Sequence, residues 1–195
     1  MKNAKYAIIA LACVCLICVG FYFFAESQTP DETELTDIEK VIIKDLEKDY
    51  PKTPREVVKF YNRIYEGYYG GEATDEQVKK MSNQMLLLLD EELLELNPKE
   101  QYYQQVAKDI AEYKKAKKVL IKTDVADSND IRYMDDEKAG STEADKLAYV
   151  KAAYFVRADK TFTNTYQEFV LRQNAQGKWK IVAFYEIEGE SSDDE

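Results

Sequence analysis

The stretch YAIIALACVCLICVGFYFF, Tyr6 to Phe24, constrains this chain more than any other, because its 19 residues carry no charge. At about 1.5 Å per helical residue it reaches roughly 28 Å, one hydrocarbon core. Lys2 and Lys5 precede it; Glu26, Asp31, Glu32 and Glu34 follow it, and the next basic residue is Lys40. That asymmetry predicts residues 1–5 in the cytoplasm, a transmembrane helix over 6–24 and an extracytoplasmic remainder. Two other fates compete. A cleavable signal has a shorter apolar segment and a small-residue exit, whereas here Phe23 and Phe24 stand directly before Ala25, Glu26 and Ser27. A lipoprotein signal puts a cysteine after a short apolar run, and ALAC ending at Cys13 looks like one, but 11 further apolar residues follow. The expectation is an uncut, single-pass anchor in the cell membrane.

All three cysteines, Cys13, Cys15 and Cys18, lie inside this run. They read as small apolar residues in lipid, with S-acylation as the alternative. The external part then has no disulfide and is held by its own core. It carries 25 basic and 37 acidic residues, a net charge of −12. Phosphate-rich polymers are repelled by such a surface, so no nucleic-acid partner is expected.

Residues 25–34 are polar, contain Pro30 and show no period. Thr36 and Glu39 form a capping box, and Ile38, Val41, Ile42 and Leu46 recur at helical spacing. This helix either stands off as a stalk or docks on the domain, so residues 25–52 read as spacer and stalk helix. Thr53, Pro54 and Glu56 then open a helix whose apolar face holds Val57, Tyr61, Ile64, Tyr65 and Tyr68 and which stops at Gly70-Gly71. From Thr74 one wide stripe runs through Val78, Met81, Met85, Leu88, Leu89, Leu93 and Leu96, predicting a single helix up to Asn97-Pro98. Tyr103, Val106, Ile110 and Tyr113 mark another, through about Lys118.

The period then changes. VLIKTDVAD and IRYM read as strands, DDEKAGSTEAD as a polar loop, and KLAYVKAAYFVRA, TFTNTYQEFVLRQ and KWKIVAFYEIE as three long strands. The connection NAQGK suits a hairpin, and residues 189–195 form an acidic tail that reads as disordered. Helices first and an antiparallel sheet second predict an α+β domain over residues 53–188, with the helices covering one face of a curved, cone-like sheet.

The hairpin TYQEFVLRQNAQGKWKIVAFYE resembles the end of nuclear-transport-factor-2-like (cystatin-like) α+β domains, and TPREVVKFYNRIYEGYY resembles their long first helix. The resemblance covers about Thr53 to Glu188. It implies that Trp179 and Ile181 point into the cone and Lys178 and Lys180 out. The whole chain, through DLEKDYPKTPREVVKFYNRIYEGYYG and LLLDEELLELNPKEQYY, resembles an uncharacterised bacterial family of single-span anchored extracytoplasmic proteins. Some isomerases of the resembled fold set a buried Asp or Glu beside a Tyr donor. The resemblance therefore implies a ligand pocket to which Tyr61, Tyr65, Tyr154 and Tyr166 supply hydroxyls and Trp179 a wall. Glu168 shares a strand face with Tyr166.

Several chemistries are absent from the composition. There is no histidine, so no His-dependent triad and no His-ligated metal. Asp124, Asp127 and Asp130 read as solvated turn residues. DDEKAGSTEADK places Lys146 where a calcium loop needs its last acid. No cofactor and no metal are expected. Lys114, Lys115, Lys117 and Lys118 end a helix, where they complement its dipole; the functional alternative is a patch for an anionic polymer or a lipid surface. The expected function is a membrane-anchored extracytoplasmic module that binds a protein or small ligand without catalysis. One alternative is an acid–base, isomerase-like enzyme with a tyrosine-lined pocket, and the other a structural component of an envelope complex.

Overall fold

A computed structural model describes residues 34–136 and 145–189. The expected membrane span, the polar spacer through residue 33, residues 137–144 of the expected DDEKAGSTEAD loop and the acidic tail from 190 lie outside the described residues, while Asp135 and Asp136 of that loop end one strand and Asp145 begins the next. Among the described residues no helix is long and apolar enough to cross a membrane. Among the described residues five α-helices precede five strands: α1 (Asp37–Ile43), α2 (Pro54–Tyr69), α3 (Asp75–Leu86), α4 (Glu91–Leu96), α5 (Lys99–Lys115), then β1 (Lys118–Val125), β2 (Arg132–Asp136), β3 (Asp145–Ala158), β4 (Thr161–Gln173) and β5 (Trp179–Ile187).

The helix starts follow from local chemistry. Thr36, Thr53 and Thr74 each accept a hydrogen bond from the backbone three residues on, and the side chains of Glu39, Glu56 and Gln77 return the bond. Each box satisfies donors that a helix start otherwise leaves unpaired. The single helix expected from Thr74 to Leu96 is instead two. Leu88 and Leu89 leave the helix and form a parallel bridge to Ile181 of β5, with Ile181 N–H donating to Leu88 and Asp90 N–H donating to Ile181. Asp90 then accepts from Glu92 N–H and opens α4. Consecutive leucines have no intrinsic break, so the sheet edge makes it.

The sheet is antiparallel and open. Its order is β1-β3-β4-β5, with β2 paired to β3 beside β1. The long β3–β4 hairpin runs in register from Leu147↔Arg172 to Ala158↔Thr161. The turn between β4 and β5, NAQGK, is closed by Asn174, whose side chain accepts from the backbone of Gln176 and Lys178, while Gly177 takes φ +74. One sheet face carries Ala148, Val150, Ala152, Tyr154, Phe169, Leu171, Trp179 and Ile181, all buried. The alternation expected for Trp179 and Ile181 is present; Lys178 and Lys180 lie over the Tyr50 ring.

The α2 helix fills the space between this face and the outer helices. Val57, Val58, Phe60, Tyr61, Ile64 and Tyr68 are buried around much of its circumference, as expected for a helix covered on more than one side. Gly67 stands inside α2, with the Met81 sulfur 2.5 Å from where a Cβ would sit. The α1 segment docks: Val41 and Leu46 are in the core, and the Gln84 carboxamide donates to the carbonyls of Ile42 and Lys44. The outer edge of β1 is covered from α2. Glu66 accepts from both the N–H and the hydroxyl of Thr123, and Arg55 donates to the carbonyls of Val125 and Ala126. Paired in this way, an edge strand offers less to a foreign strand.

Candidate functional site

The predicted site tyrosines do not share one pocket. Tyr61, Tyr65 and Tyr154 meet inside the core: Tyr61 and Tyr65 stack at 5.9 Å between centroids, and Tyr65 meets Tyr154 edge-on at 5.3 Å. Phe169 closes the inner end, 4.9 Å from Tyr61. The Tyr154 hydroxyl donates to the buried Asn62 side chain at 2.9 Å. Trp179 is buried elsewhere, against Tyr133 at 6.0 Å, with its carbonyl taken by the Tyr50 hydroxyl. Tyr166 is on the other sheet face, opposite Ala153 and Ile187.

Glu168 shares that outer face, so it is no inward acid. Its carboxylate accepts from Arg132 at 2.8 Å and from the Tyr185 hydroxyl, while Arg132 lies over the Tyr149 ring. Burial works to raise its pKa, but the Tyr185 and Arg132 hydrogen bonds and the charges of Arg132 and Lys151 outweigh it and hold the carboxyl below its ordinary value. A carboxylate so paired is a poor proton acceptor near neutrality.

The aromatic ladder continues outward along α2. Spacing of four puts Tyr61, Tyr65 and Tyr69 on one helix face. Tyr65 and Tyr69 lie 4.5 Å apart, and Tyr69 and Tyr113 of α5 lie 4.6 Å apart. There the ladder reaches a cavity of about 360 Å³ walled by Tyr68, Tyr69, Ile110 and Tyr113 and rimmed by Lys114, Lys117 and Lys118. Among the described residues no carboxylate lines it. A second cavity of about 320 Å³ lies between α3 and α5. It shares Tyr68, Gly71, Ile110 and Lys114 with the first and adds the apolar Ala73, Val78 and Ala107. Asp75, Lys79 and Glu100 rim it.

Two backbone features hold this place open. Gly71 takes φ +93 as the chain leaves α2, and the position of a Cβ there is open space. Lys117 takes φ 51 in the turn between α5 and β1, its N–H donating to the Lys114 carbonyl at 3.0 Å. A non-glycine residue in that region is strained. The turn gathers the lysines around the cavity mouth, with Lys118 Nζ 5.9 Å above the Tyr113 ring.

The tyrosine hydroxyls there are neutral. Burial pushes Tyr68 and Tyr113 up to about 12, and raises Tyr69 further with help from the neighbouring tyrosines and Asp109. Ser82 donates to the Val78 carbonyl, so its 2.9 Å contact with Tyr68 has the phenol as donor. Protonated phenols leave the ammonium charges at the rim uncancelled. Among the described residues no group of three or more His, Cys, Asp or Glu is placed to hold a metal.

A wider groove, about 730 Å³ between α1, α2 and β1, is a weaker candidate. It mixes Lys40, Lys44 and Arg63 with Asp37, Glu66 and Glu72, and Glu66 is engaged by Thr123. Sequence reasoning named Tyr68 and Tyr113 as helix-face residues and noted the lysine cluster without joining them. The joining signal was the four-residue tyrosine spacing running out toward those lysines.

A family model described as a domain of unknown function, DUF6715, matches residues 1–184. The chain belongs to the DUF6715 family. The match takes in the N-terminal apolar run, the five described helices and most of β5 of this DUF6715 chain. No curated protein matches it.

Proposed function

We propose that this DUF6715 protein is a membrane-anchored extracytoplasmic module that binds a small ligand without catalysis. Its site is the tyrosine-walled cavity between the end of α2, α5 and β1. The observation that carries the reading is the convergence of Tyr68, Tyr69 and Tyr113 with Lys114, Lys117 and Lys118 on one cavity of about 360 Å³. That volume lies in the range of small-molecule sites, which combine apolar walls with a few polar groups. The anchor is Tyr6–Phe24, by its length, its freedom from charge and its lysine-first flank. A nuclear-transport-factor-2-like relationship is supported by the helices gathered on one face of an antiparallel sheet and by the inward Trp179 and Ile181.

Two measurements test the reading. Protease added to intact cells removes the part beyond residue 34 if the topology is right; a protected domain overturns the location. Hydrogen exchange on the full chain in lipid nanodiscs, incubated with fractions of small molecules from the producing cells, locates binding. Protection at residues 68–79 and 107–119 supports the site, and protection confined to other segments removes it.

A further inference from the structure

We infer that the two adjoining cavities form one site for an amphipathic anion, with a carboxylate or phosphate held by Lys114, Lys117 and Lys118 and an apolar body along the cleft between α3 and α5. The inference deepens the binding role proposed above and rests on it. Four shared residues, Tyr68, Gly71, Ile110 and Lys114, make the cavities neighbours. Gly71 puts no side chain at their junction, and its φ of +93 admits little but glycine.

The two ends differ in chemistry. The first cavity has three ammonium groups and, among the described residues, no carboxylate on its lining. Such a set matches one anionic group and penalises a cation. The second has a floor of Ala73, Val78, Ala107 and Ile110 and rim charges of both signs, Asp75 and Glu100 against Lys79 and the shared Lys114. It supplies apolar area without a net charge to select by. A ligand with a charged end and an apolar end satisfies both; a small hydrophilic anion uses only the first.

The placement of the lysines goes beyond what helix capping needs. Charge at a helix C-terminus acts within its last turn, which here ends at Lys115. Lys117 and Lys118 lie past it, and Lys117 holds a left-handed conformation that glycine would adopt without strain. Four lysines in five residues are also the densest basic run in a chain of net charge −10.

The test uses the full chain in nanodiscs of zwitterionic lipid, with octanoate, octyl phosphate, octylammonium and inorganic phosphate as probes and hydrogen exchange as the readout. Octanoate and octyl phosphate are expected to protect residues 68–79 and 107–119, octylammonium to protect neither, and inorganic phosphate to bind at least about tenfold more weakly than octyl phosphate. Nanodiscs with anionic phospholipid separate the sources: protection there without added amphiphile assigns the anion to a lipid headgroup. The triple variant Lys114→Gln, Lys117→Gly, Lys118→Gln is expected to lose affinity for octyl phosphate by about tenfold or more. Ala107→Trp, at an exposed helix position, is expected to lose a similar factor by filling the cleft. Octylammonium binding as well as octanoate at this place overturns the anion but keeps the cavity as a binding site. Unchanged affinity in Ala107→Trp overturns the apolar seat. Protection by no probe overturns this inference alone, and the small-molecule fractions above then judge the site.

Discussion

The guanidinium of Arg172 lies 2.6 Å from the Asp90 carboxylate, and both side chains are largely withdrawn from solvent. Asp90 also caps α4, and its own N–H donates to Ile181 of β5. One residue thus ends the Leu88–Leu89 bridge, starts a helix and ties both to β4. Arg172→Leu leaves that carboxylate buried without its cation, and about 3–5 kcal/mol of stability is expected to go. Asp90→Asn in the same chain keeps a capping side chain and removes the charge, so the double variant is expected to recover much of the loss. Urea unfolding of the four forms checks this. Additive losses would show that the pair is not coupled.

The Tyr154–Asn62 bond makes a similar point inside the core. Asn62 is almost fully buried, and its Nδ2 has no partner among the described residues. Tyr154→Phe removes the one bond that the carboxamide makes, and a loss of about 1–3 kcal/mol is expected. In an Asn62→Leu background the same change is expected to fall well below that, since no polar group is then left unpaired. A double-mutant cycle by thermal unfolding reads the difference.

Lys117 separates stability from binding. At φ 51 a glycine relieves backbone strain, so Lys117→Gly is expected to hold or raise the unfolding free energy, by up to about 1 kcal/mol, as urea unfolding reads it. The same variant is expected to weaken the binding of octyl phosphate. A drop in stability would mean that the ammonium group, rather than the strain, dominates at this turn.

Alkaline pH is expected to unfold the domain through its tyrosines. Burial raises Tyr68 and Tyr113 to about 12 and raises Tyr61, Tyr69, Tyr102 and Tyr154 as well, from an ordinary value of 10.0. Between the ordinary and the raised values the folded chain binds more protons than the unfolded one. Their contribution is therefore whole below about pH 10 and lost as pH rises through 12 and beyond. Tyrosinate absorbance and circular dichroism followed together are expected to show most of these phenols ionising with the loss of structure. Ionisation of the full set near 10 with the fold intact would contradict their burial.

Much of the fold was legible because its signals are local. Thr36, Thr53 and Thr74 mark helix starts through bonds only three residues long. The alternation in β3 and β5 places Tyr154, Trp179 and Ile181 inward with no knowledge of what covers them. The break at Leu88–Leu89 was not legible. Five apolar residues in a row satisfy a helix or a strand equally, and the choice is made by a backbone pair with Ile181 about ninety residues away.

The candidate site divides the same way. That Tyr61, Tyr65 and Tyr69 line one helix face, and that four lysines follow Tyr113, was settled by residue order and helical period. Which tyrosines fill the core and which wall a cavity, that Glu168 faces away from them, and that the lysines ring the cavity mouth were decided by the packing of α2 against α5 and β1. Spacing sets direction along one element, whereas burial, pairing and enclosure belong to elements that meet only when the chain has folded.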